Sequence, residues 1–553
     1  GNGQYGFGPH QWDGIFLQHV SILGGGFNIV VTRDGRSETF SAPGTLPSGS
    51  SLTDLGGSYL YRVSDGTAIT FDDPSSQLIG PSTFCNQDSG STSCALMPSS
   101  ITTPDGKSVT LGWSLFQRCQ QPGSPEDPPS CAYWARLESV SNNSGYRVAF
   151  TYASDGEGGF GNTPPPSTWK RRTSATFYND NVGGGAVAST SYSYPSAGVV
   201  DATDTAGRAW RFTGSFDTIN AIRRPGAGTN TTSYSQSGGA TTVARDGVTT
   251  SYNRTLSGTT ATMVVTNALS QVMTIVSDMT LGRPTSVTNA LRQTTAFQYD
   301  SYGRPTEITY PEGNKTVIAY DARGNVTSTT LKAKVGSGLA DIVTTANYPS
   351  SCSNPLTCNS AEWTQDAKGN QTDYTYDATH GGVLTVTAPA DVSSVRPQTR
   401  YSYTLTSGVH LLTGTSSCQS SASCIGAASE SRTAIVYNSN RLPATVTASA
   451  GDGSISATTT IGYDARGDVK TVDGPLAGTD DTTTYRYDAG RRLIGVVGPD
   501  PDGGGARKRA AQRMTYGNDG LTLREAGIVD DAGDPAWSAF SSQEQAAIAY
   551  DTN

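Results

Sequence analysis

The sequence repeats itself about every 21 residues, and that period constrains the fold more than any other feature. Gly282-Arg283-Pro284 returns as Gly303-Arg304-Pro305 and, altered, as Gly324-Asn325-Val326. Tyr299-Asp300 returns as Tyr320-Asp321, and Thr266-Asn267-Ala268-Leu269 as Thr288-Asn289-Ala290-Leu291. Looser copies follow at Tyr376-Asp377, Tyr463-Asp464-Ala465-Arg466-Gly467, Tyr487-Asp488-Ala489-Gly490-Arg491 and Tyr550-Asp551. Tyr437-Asn438 and Tyr516-Gly517 are degenerate members. A repeat this short is one supersecondary unit, which cannot bury an apolar face alone and depends on its neighbours.

Each unit reads as two strands and two turns. Pro305–Tyr310 and Lys315–Tyr320 alternate and are rich in β-branched and aromatic residues, which predicts strands. Between them, Tyr310-Pro311-Glu312-Gly313 has Pro second and Gly fourth, as a type I turn prefers. In Asp321-Ala322-Arg323-Gly324 the Asp can accept backbone N–H bonds, and Gly324, like Gly303, tolerates positive φ. A lone hairpin is unstable, so successive units must pair edge to edge. The predicted fold class is all-β: a long antiparallel β-meander coiling into a spiral sheet, an open or partial β-shell. If every 21 residues advanced the sheet by about 10 Å, the strip would approach about 250 Å before insertions shorten it. The structural repeat positions are Tyr299, Asp300, Gly303, Arg304, Tyr320, Asp321, Gly324, Tyr376, Asp377, Tyr463, Asp464, Gly467, Tyr487 and Asp488.

Composition removes several classes. Charged residues are 15% of 553 and the net charge is −9, which excludes charge-driven disorder and long helical bundles. There is no basic footprint for nucleic acid. No apolar run is long enough for a transmembrane segment. The eight cysteines fall into four local pairs: Cys85/Cys94, Cys119/Cys131, Cys352/Cys358 and Cys418/Cys424. Their number and proximity predict disulfides and an extracellular or cell-surface location, secreted, with the periplasm as a variant. The spacings do not suit a zinc site, and His10, His19, His380 and His410 read as isolated.

No catalytic constellation emerges. Gly156-x-Gly158-x-x-Gly161 runs into Asn162-Thr163-Pro164-Pro165-Pro166, so the helix a dinucleotide site needs is missing. The acidic pairs Asp72-Asp73, Asp480-Asp481 and Asp530-Asp531, and Asp500-x-Asp502, read as turn acids. A calcium loop starting at Asp500 would have Ala511 at its twelfth position, where a carboxylate belongs. Trp169-Lys170-Arg171-Arg172 is expected to be an exposed loop tip, and most tryptophans to be packed on the sheet. Ala536–Ala547 is the one segment expected to be a short helix. The expectation is no catalytic, metal or cofactor site, hence no enzyme.

Tyr-Asp-x-x-Gly-Arg at this spacing resembles the Rhs/YD-repeat proteins. These include bacterial polymorphic toxins, cocoon components of Tc toxins, wall-associated surface proteins and the animal teneurins. The resemblance is strong from Thr266 onward and weaker at Thr103–Lys107, Arg136–Val140 and Asp204–Arg208. It implies a β-strip that spirals into a hollow shell, commonly enclosing a C-terminal toxin released by self-cleavage. No Asp-Pro-x-Gly-type cleavage core is recognised here, and no self-cleavage is assigned. The organisation expected is a diverged N-terminal β-region with disulfide-stapled loops over 1–265, then a YD-repeat sheet over 266–553. The two are read as one continuous architecture, breaking off within a repeat at Tyr550-Asp551. The function implied is a non-enzymatic structural part of an extracytoplasmic shell that encloses or displays a polypeptide such as a toxin domain. A surface adhesin or carbohydrate-binding protein is the alternative, and an enzyme of β-helix type ranks last. The partners expected are a C-terminal continuation of the polypeptide or another copy of the chain, with a glycan under the alternative.

Overall fold

The structure, a computed structural model, describes residues 15–549 except 22–26, 34–35, 47, 73–93, 120–130, 155–158, 161–166, 216–217, 238–239, 393, 419–422, 479, 504, 518–519 and 531–536. These residues form 42 strands and two short 3₁₀ turns, Ser167–Lys170 and Asp180–Val182, with no α-helix among them. From Gly44–Thr45 onward each strand pairs antiparallel with the next. The exception is Gly159–Phe160, which sits beside Ser108–Cys119 in parallel. Strands Phe16–Ser21, Phe27–Arg33 and Arg36–Phe40 form a separate antiparallel flap, joined to the start of Cys94–Thr102 where Leu17 faces Leu96.

The flap packs on the early meander in an apolar cluster that includes Leu17, Ile29, Val31, Phe40, Leu52, Ile69 and Phe71. A second cluster, Val497, Ala511, Val529 and Trp537, lies near the other end. Between residues 200 and 350, only Val200, Ala221, Pro225, Ala261 and Thr316 are buried among the described residues. The accessible surface is 29819 Å², against about 18,800 Å² for a compact monomer of this mass by the usual scaling. A single-layer sheet wetted on both faces accounts for that excess.

The segment expected as a helix is not one. Ser541–Ala547 is a strand paired with Leu521–Val529, and all seven of its residues are exposed. Its Gln, Glu and Ala residues favour a helix, but the free edge of the preceding strand supplies a hydrogen-bonding template that overrides propensity. Among the described residues no strand covers its far side; Tyr550-Asp551 lie outside them.

The meander from Gly44 contains 38 strands once Gly159–Phe160 is set aside, or about 180 Å of sheet at about 4.8 Å per strand. That is shorter than the repeat period alone suggests, because the first strands fold aside and long connections interrupt the repeat. Strand twist coils the strip, and contacts between residues 258 to 298 apart show how far. From the turn at Asn143-Ser144 to its contact at Asn440, 23 strands intervene, not counting Gly159–Phe160. A lap is therefore about 110 Å around, equivalent to a circle about 35 Å across. Laps meet through their turns and not through strand pairing, so the sheet is open.

Candidate functional site

Antiparallel pairing places alternate turns on opposite margins of the strip. The turns at Asp300, Asp321, Asp377, Asn438, Asp464 and Asp488 lie on one margin, the lower rim. The turns at Val63–Thr67, Thr103–Lys107, Asn142–Tyr146, Asp204–Arg208, Asn267–Gln271 and Asn289–Gln293 lie on the other, the upper rim.

The Tyr-Asp turn is a hydrogen-bonded unit. Asp300 Oδ1 accepts from the amides of Tyr302 (2.9 Å) and Arg304 (3.0 Å), while Oδ2 takes the Arg304 Nε at 2.6 Å. Gly303 N donates to Asp300 O at 3.0 Å, and Gly303 (φ 74°) closes the three-residue loop in the left-handed region. Gly324 does the same at φ 91° beside Asp321, and Gly467 at φ 83° beside Asp464. Where the third loop position is Arg292, Arg441 or Arg491, φ is still positive, so the turn shape outlasts the glycine.

The tyrosine spans strands. Tyr299 OH donates to Pro284 O at 2.7 Å, Tyr320 OH to Pro305 O at 2.8 Å, and Tyr376 OH to Ala361 O at 2.8 Å. Tyr463 OH donates to Pro443 O at 2.9 Å. Pro305 and Pro443 stand where the pairing register shifts, so the hydroxyl satisfies a carbonyl next to a bulge. Burial raises the phenols of Tyr299, Tyr320, Tyr376, Tyr463 and Tyr487 above the ordinary value, which keeps these hydroxyls protonated. Arg304, paired with Asp300, lies 4.6 Å over the Tyr320 ring, and Arg492, paired with Asp488, lies 4.7 Å over Tyr516. Burial pushes the carboxyls of Asp300, Asp321 and Asp488 up, but hydrogen bonds from their turn amides and side-chain partners outweigh it and hold them below the usual range.

The lower rim of the second lap rests on the upper rim of the first, and this seam is the assembled feature of the molecule. Asn359 Nδ2 donates to Ser64 O at 2.7 Å, and His410 N to Asp105 O at 2.8 Å. Asn440 exchanges reciprocal amide bonds with Asn179 (2.8 and 3.1 Å) and donates to Ser144 O at 2.8 Å. Asn179 is 1% and Asn440 6% exposed. Arg441 Nη1 reaches Asn143 O, and Arg466 Nε reaches Val187 O at 3.3 Å. At Gly106 a Cβ would run into the Gly408 carbonyl, so the seam requires glycine there. The asparagines gave no signal in the sequence beyond standing in turns.

Cys352–Cys358 and Cys418–Cys424 are disulfides, with Cα atoms 4.9 and 5.6 Å apart. The first staples a lower-rim excursion that enters the seam, since Leu356 packs on Gly66. Cys119 and Cys131 stand opposite each other in register, though their side chains lie outside the described residues. Cys85 and the side chain of Cys94 also lie outside them.

Three expectations are corrected. Trp169-Lys170-Arg171-Arg172 is not an exposed tip. Trp169 is 1% exposed, its carbonyl accepts from Arg136 Nη1 at 2.8 Å, and Arg172 stacks 4.1 Å over Phe150. Aromatic rings take up Arg171 and Arg172. His380 and His410 are not isolated: they stack at 4.3 Å, with Tyr403 4.6 Å from His380 and Asp377 Oδ1 3.5 Å from its Nε2. Adjacent lower-rim turns bring them together. The order Asp-Pro-x-Gly does occur, at Asp500-Pro501-Asp502-Gly503, but as a bend in which Arg509 Nη2 pairs with Asp500 at 2.9 Å. Two further turn acids are similarly engaged: Asp530 pairs with Lys508 at 3.0 Å, and Asp481 accepts from Leu476 N at 2.8 Å. No cluster of three or more His, Cys, Asp or Glu able to hold a metal exists among the described residues. An open cleft of about 650 Å³ lies on the seam between Val182–Val187 and Arg466, Lys470, Tyr485 and Tyr487. No helix among the described residues is long and apolar enough to cross a membrane.

Residues 279–316 match the RHS repeat family model. No curated protein matches the sequence. Among solved structures, a Photorhabdus luminescens Tc holotoxin pore aligns at 12% identity and a TM-score of 0.36, covering 94% of this chain and 30% of the other. A TcdB2–TccC3 structure without its hypervariable C-terminal region aligns at 12% identity and 0.22, covering 92% of this chain and 24% of the other. A porin-like protein from Bacteroides uniformis aligns at 14% and 0.20, covering 46% and 89%. The chain thus spans less than a third of the Tc structures it aligns with, and overlays at such scores carry no argument about shape. The family match spans the Tyr299–Arg304 turn whose hydrogen bonding is described above, so over residues 279–316 the chain carries an RHS repeat.

Proposed function

We propose that the chain is a non-enzymatic wall segment of an extracytoplasmic shell, whose lumen encloses a polypeptide. The observation that carries this is the seam. Lower-rim turns and connections hold one lap on the next, so a sheet too thin to have a continuous core becomes the wall of a coil about 35 Å across. Subtracting about 10 Å for the thickness of a sheet leaves a lumen about 25 Å wide, enough for unfolded or small folded polypeptide. The cysteine pairs favour an oxidising compartment. The test is proteolysis of the full chain carrying an unstructured polypeptide appended to its C-terminus. Enclosure predicts that the appended segment is cut much more slowly than the same peptide free in solution; equal rates reject it. The glycan-binding alternative rests on the seam cleft, where Tyr485 and Tyr487 share one strand face beside Lys470. It requires that Tyr487→Ala abolish any glycan binding the parent shows.

A further inference from the structure

Between the strands Ile342–Asn347 and Trp363–Gln365 the chain leaves the sheet, and residues 348–362 are in neither strand nor helix. This excursion carries the first of the seam contacts described above along the second lap. Leu356 packs on Gly66, where a Cβ would lie 2.9 Å from Leu356 Cδ2. Asn359 Nδ2 donates to Ser64 O at 2.7 Å and stands 3.1 Å from where a Gly49 Cβ would be. Hydrogen bonds tie the excursion to its own lap. Arg323 reaches Pro349 O, Cys358 O (3.3 Å) and Asn359 Oδ1 (3.2 Å), and Asn354 Nδ2 donates to Ala378 O at 2.8 Å.

The Cys352–Cys358 disulfide closes the excursion on itself across a separation of six residues. Leu356 lies inside that ring and Asn359 directly after it, so both residues that touch the first lap take their positions from the cross-link. No strand ladder holds them, and a cross-link in such a segment acts by removing its open conformations. The two described disulfides differ in access. Cys352 is exposed, with Cys358 2% exposed behind it, whereas Cys418 and Cys424 are 1% and 7% exposed. A reductant's thiolate must reach a sulfur to attack it. Of the two, the disulfide that presents a cysteine at the surface is the one on the seam.

We propose that Cys352–Cys358 is a reductively released latch: a small dithiol opens it in the folded chain, the excursion lets go of Ser64 and Gly66, and the second lap comes free at the start of the seam. The chemistry is thiol–disulfide exchange. One thiolate of the dithiol attacks Cys352 Sγ, and Cys358 leaves as a thiolate. The second thiolate then attacks the mixed disulfide, and Cys352 leaves. The dithiol ends as its own cyclic disulfide, and its two electrons and two protons end on the two cysteines. A wall assembled in an oxidising compartment stays latched there and loosens on entering a reducing one. The latch goes beyond the enclosure reading and does not rest on it.

The test is graded reduction of the folded full chain with dithiothreitol, trapped by alkylation and read by peptide mass spectrometry, with hydrogen exchange on the same samples. Cys352 and Cys358 should become alkylated at concentrations that leave Cys418–Cys424 intact. Exchange over 348–361 and over Val63–Thr67 should then rise at least about tenfold. Cys352→Ser with Cys358→Ser should show that fast exchange without reductant, and no further rise in these segments with it. Cys418→Ser with Cys424→Ser should keep the parent's response. Circular dichroism checks folding, and the parent under mild reduction carries the test if either double variant unfolds. Opening of Cys418–Cys424 before or together with Cys352–Cys358 overturns the proposal, and so does unmoved exchange at Val63–Thr67 once Cys352–Cys358 is reduced. Failure of the enclosure reading would show in proteolysis of appended polypeptide under oxidising conditions and leave these results unchanged.

Discussion

Replacing Asp300 with Ala removes one side chain and three hydrogen bonds: to the amides of Tyr302 and Arg304 and to the Arg304 guanidinium. A hydrogen bond to a charged group contributes about 1.5–3 kcal/mol, but these amides lie at a rim where water regains part of that, leaving about 1 kcal/mol each. The Arg304 pair, roughly a quarter exposed on each side, adds about 0.5 kcal/mol. The expected loss is about 2.5 kcal/mol of local stability, or about 70-fold faster hydrogen exchange at the Tyr302 and Arg304 amides. Asp300→Asn separates acceptor geometry from charge. Asn289 already accepts Leu291 N and Gln293 N, both at 3.0 Å, in the same turn, so this variant should lose only about 1 kcal/mol, or about 5-fold in exchange. If Asn and Ala variants exchange equally fast, the side-chain acceptor is not what holds the turn.

Acid should act on the same positions. The carboxyls of Asp300, Asp321 and Asp488 are depressed in the folded state, so their stabilisation is full above the unfolded value, about 3.9, and is lost as pH falls through the folded values. Thermal melts should be flat above about pH 5 and fall below about pH 4, and a loss beginning near neutrality would contradict this. Gly303→Val and Gly324→Val should each destabilise by more than about 1 kcal/mol in denaturant titrations, because a β-branched residue is placed at positive φ; Gly324 should suffer more, since its Cβ would lie 2.8 Å from Arg304 Nη1. Asn440→Ala removes three hydrogen bonds across the seam, leaving the buried Asn179 amide only Ala465 O and Asn181 N, and should lower seam stability by about 2–3 kcal/mol, read as faster proteolysis near Ser144 and Ser439; unchanged cleavage would mean that the laps do not depend on this pair. Intact mass with and without reduction should show every cysteine gaining a hydrogen, and eight free thiols in the native chain would refute both the disulfides and the oxidising location.

The elements that the sequence determined are those closed within one repeat. Tyr299, Asp300, Gly303 and Arg304 make most of their bonds inside a single turn or to the strand just before it, so a 21-residue window holds nearly all the information. Antiparallel order follows, because short turns leave a hairpin no other pairing. The coil is different. Its lap length is the sum of small twists over 23 strands, and no single residue encodes such a sum. Contacts that depend on it join residues with no local signature: Asn179 to Asn440, Asn359 to Ser64, His410 to Asp105. The same distance effect hid the stacking of His380 on His410 and the burial of Trp169 under Arg136. At Ser541–Ala547 the local signal pointed to a helix, and the neighbouring strand edge decided otherwise. Turn chemistry is short-ranged and legible in the chain; which turns face a neighbour and which stand bare is settled only when the strip has closed a full lap.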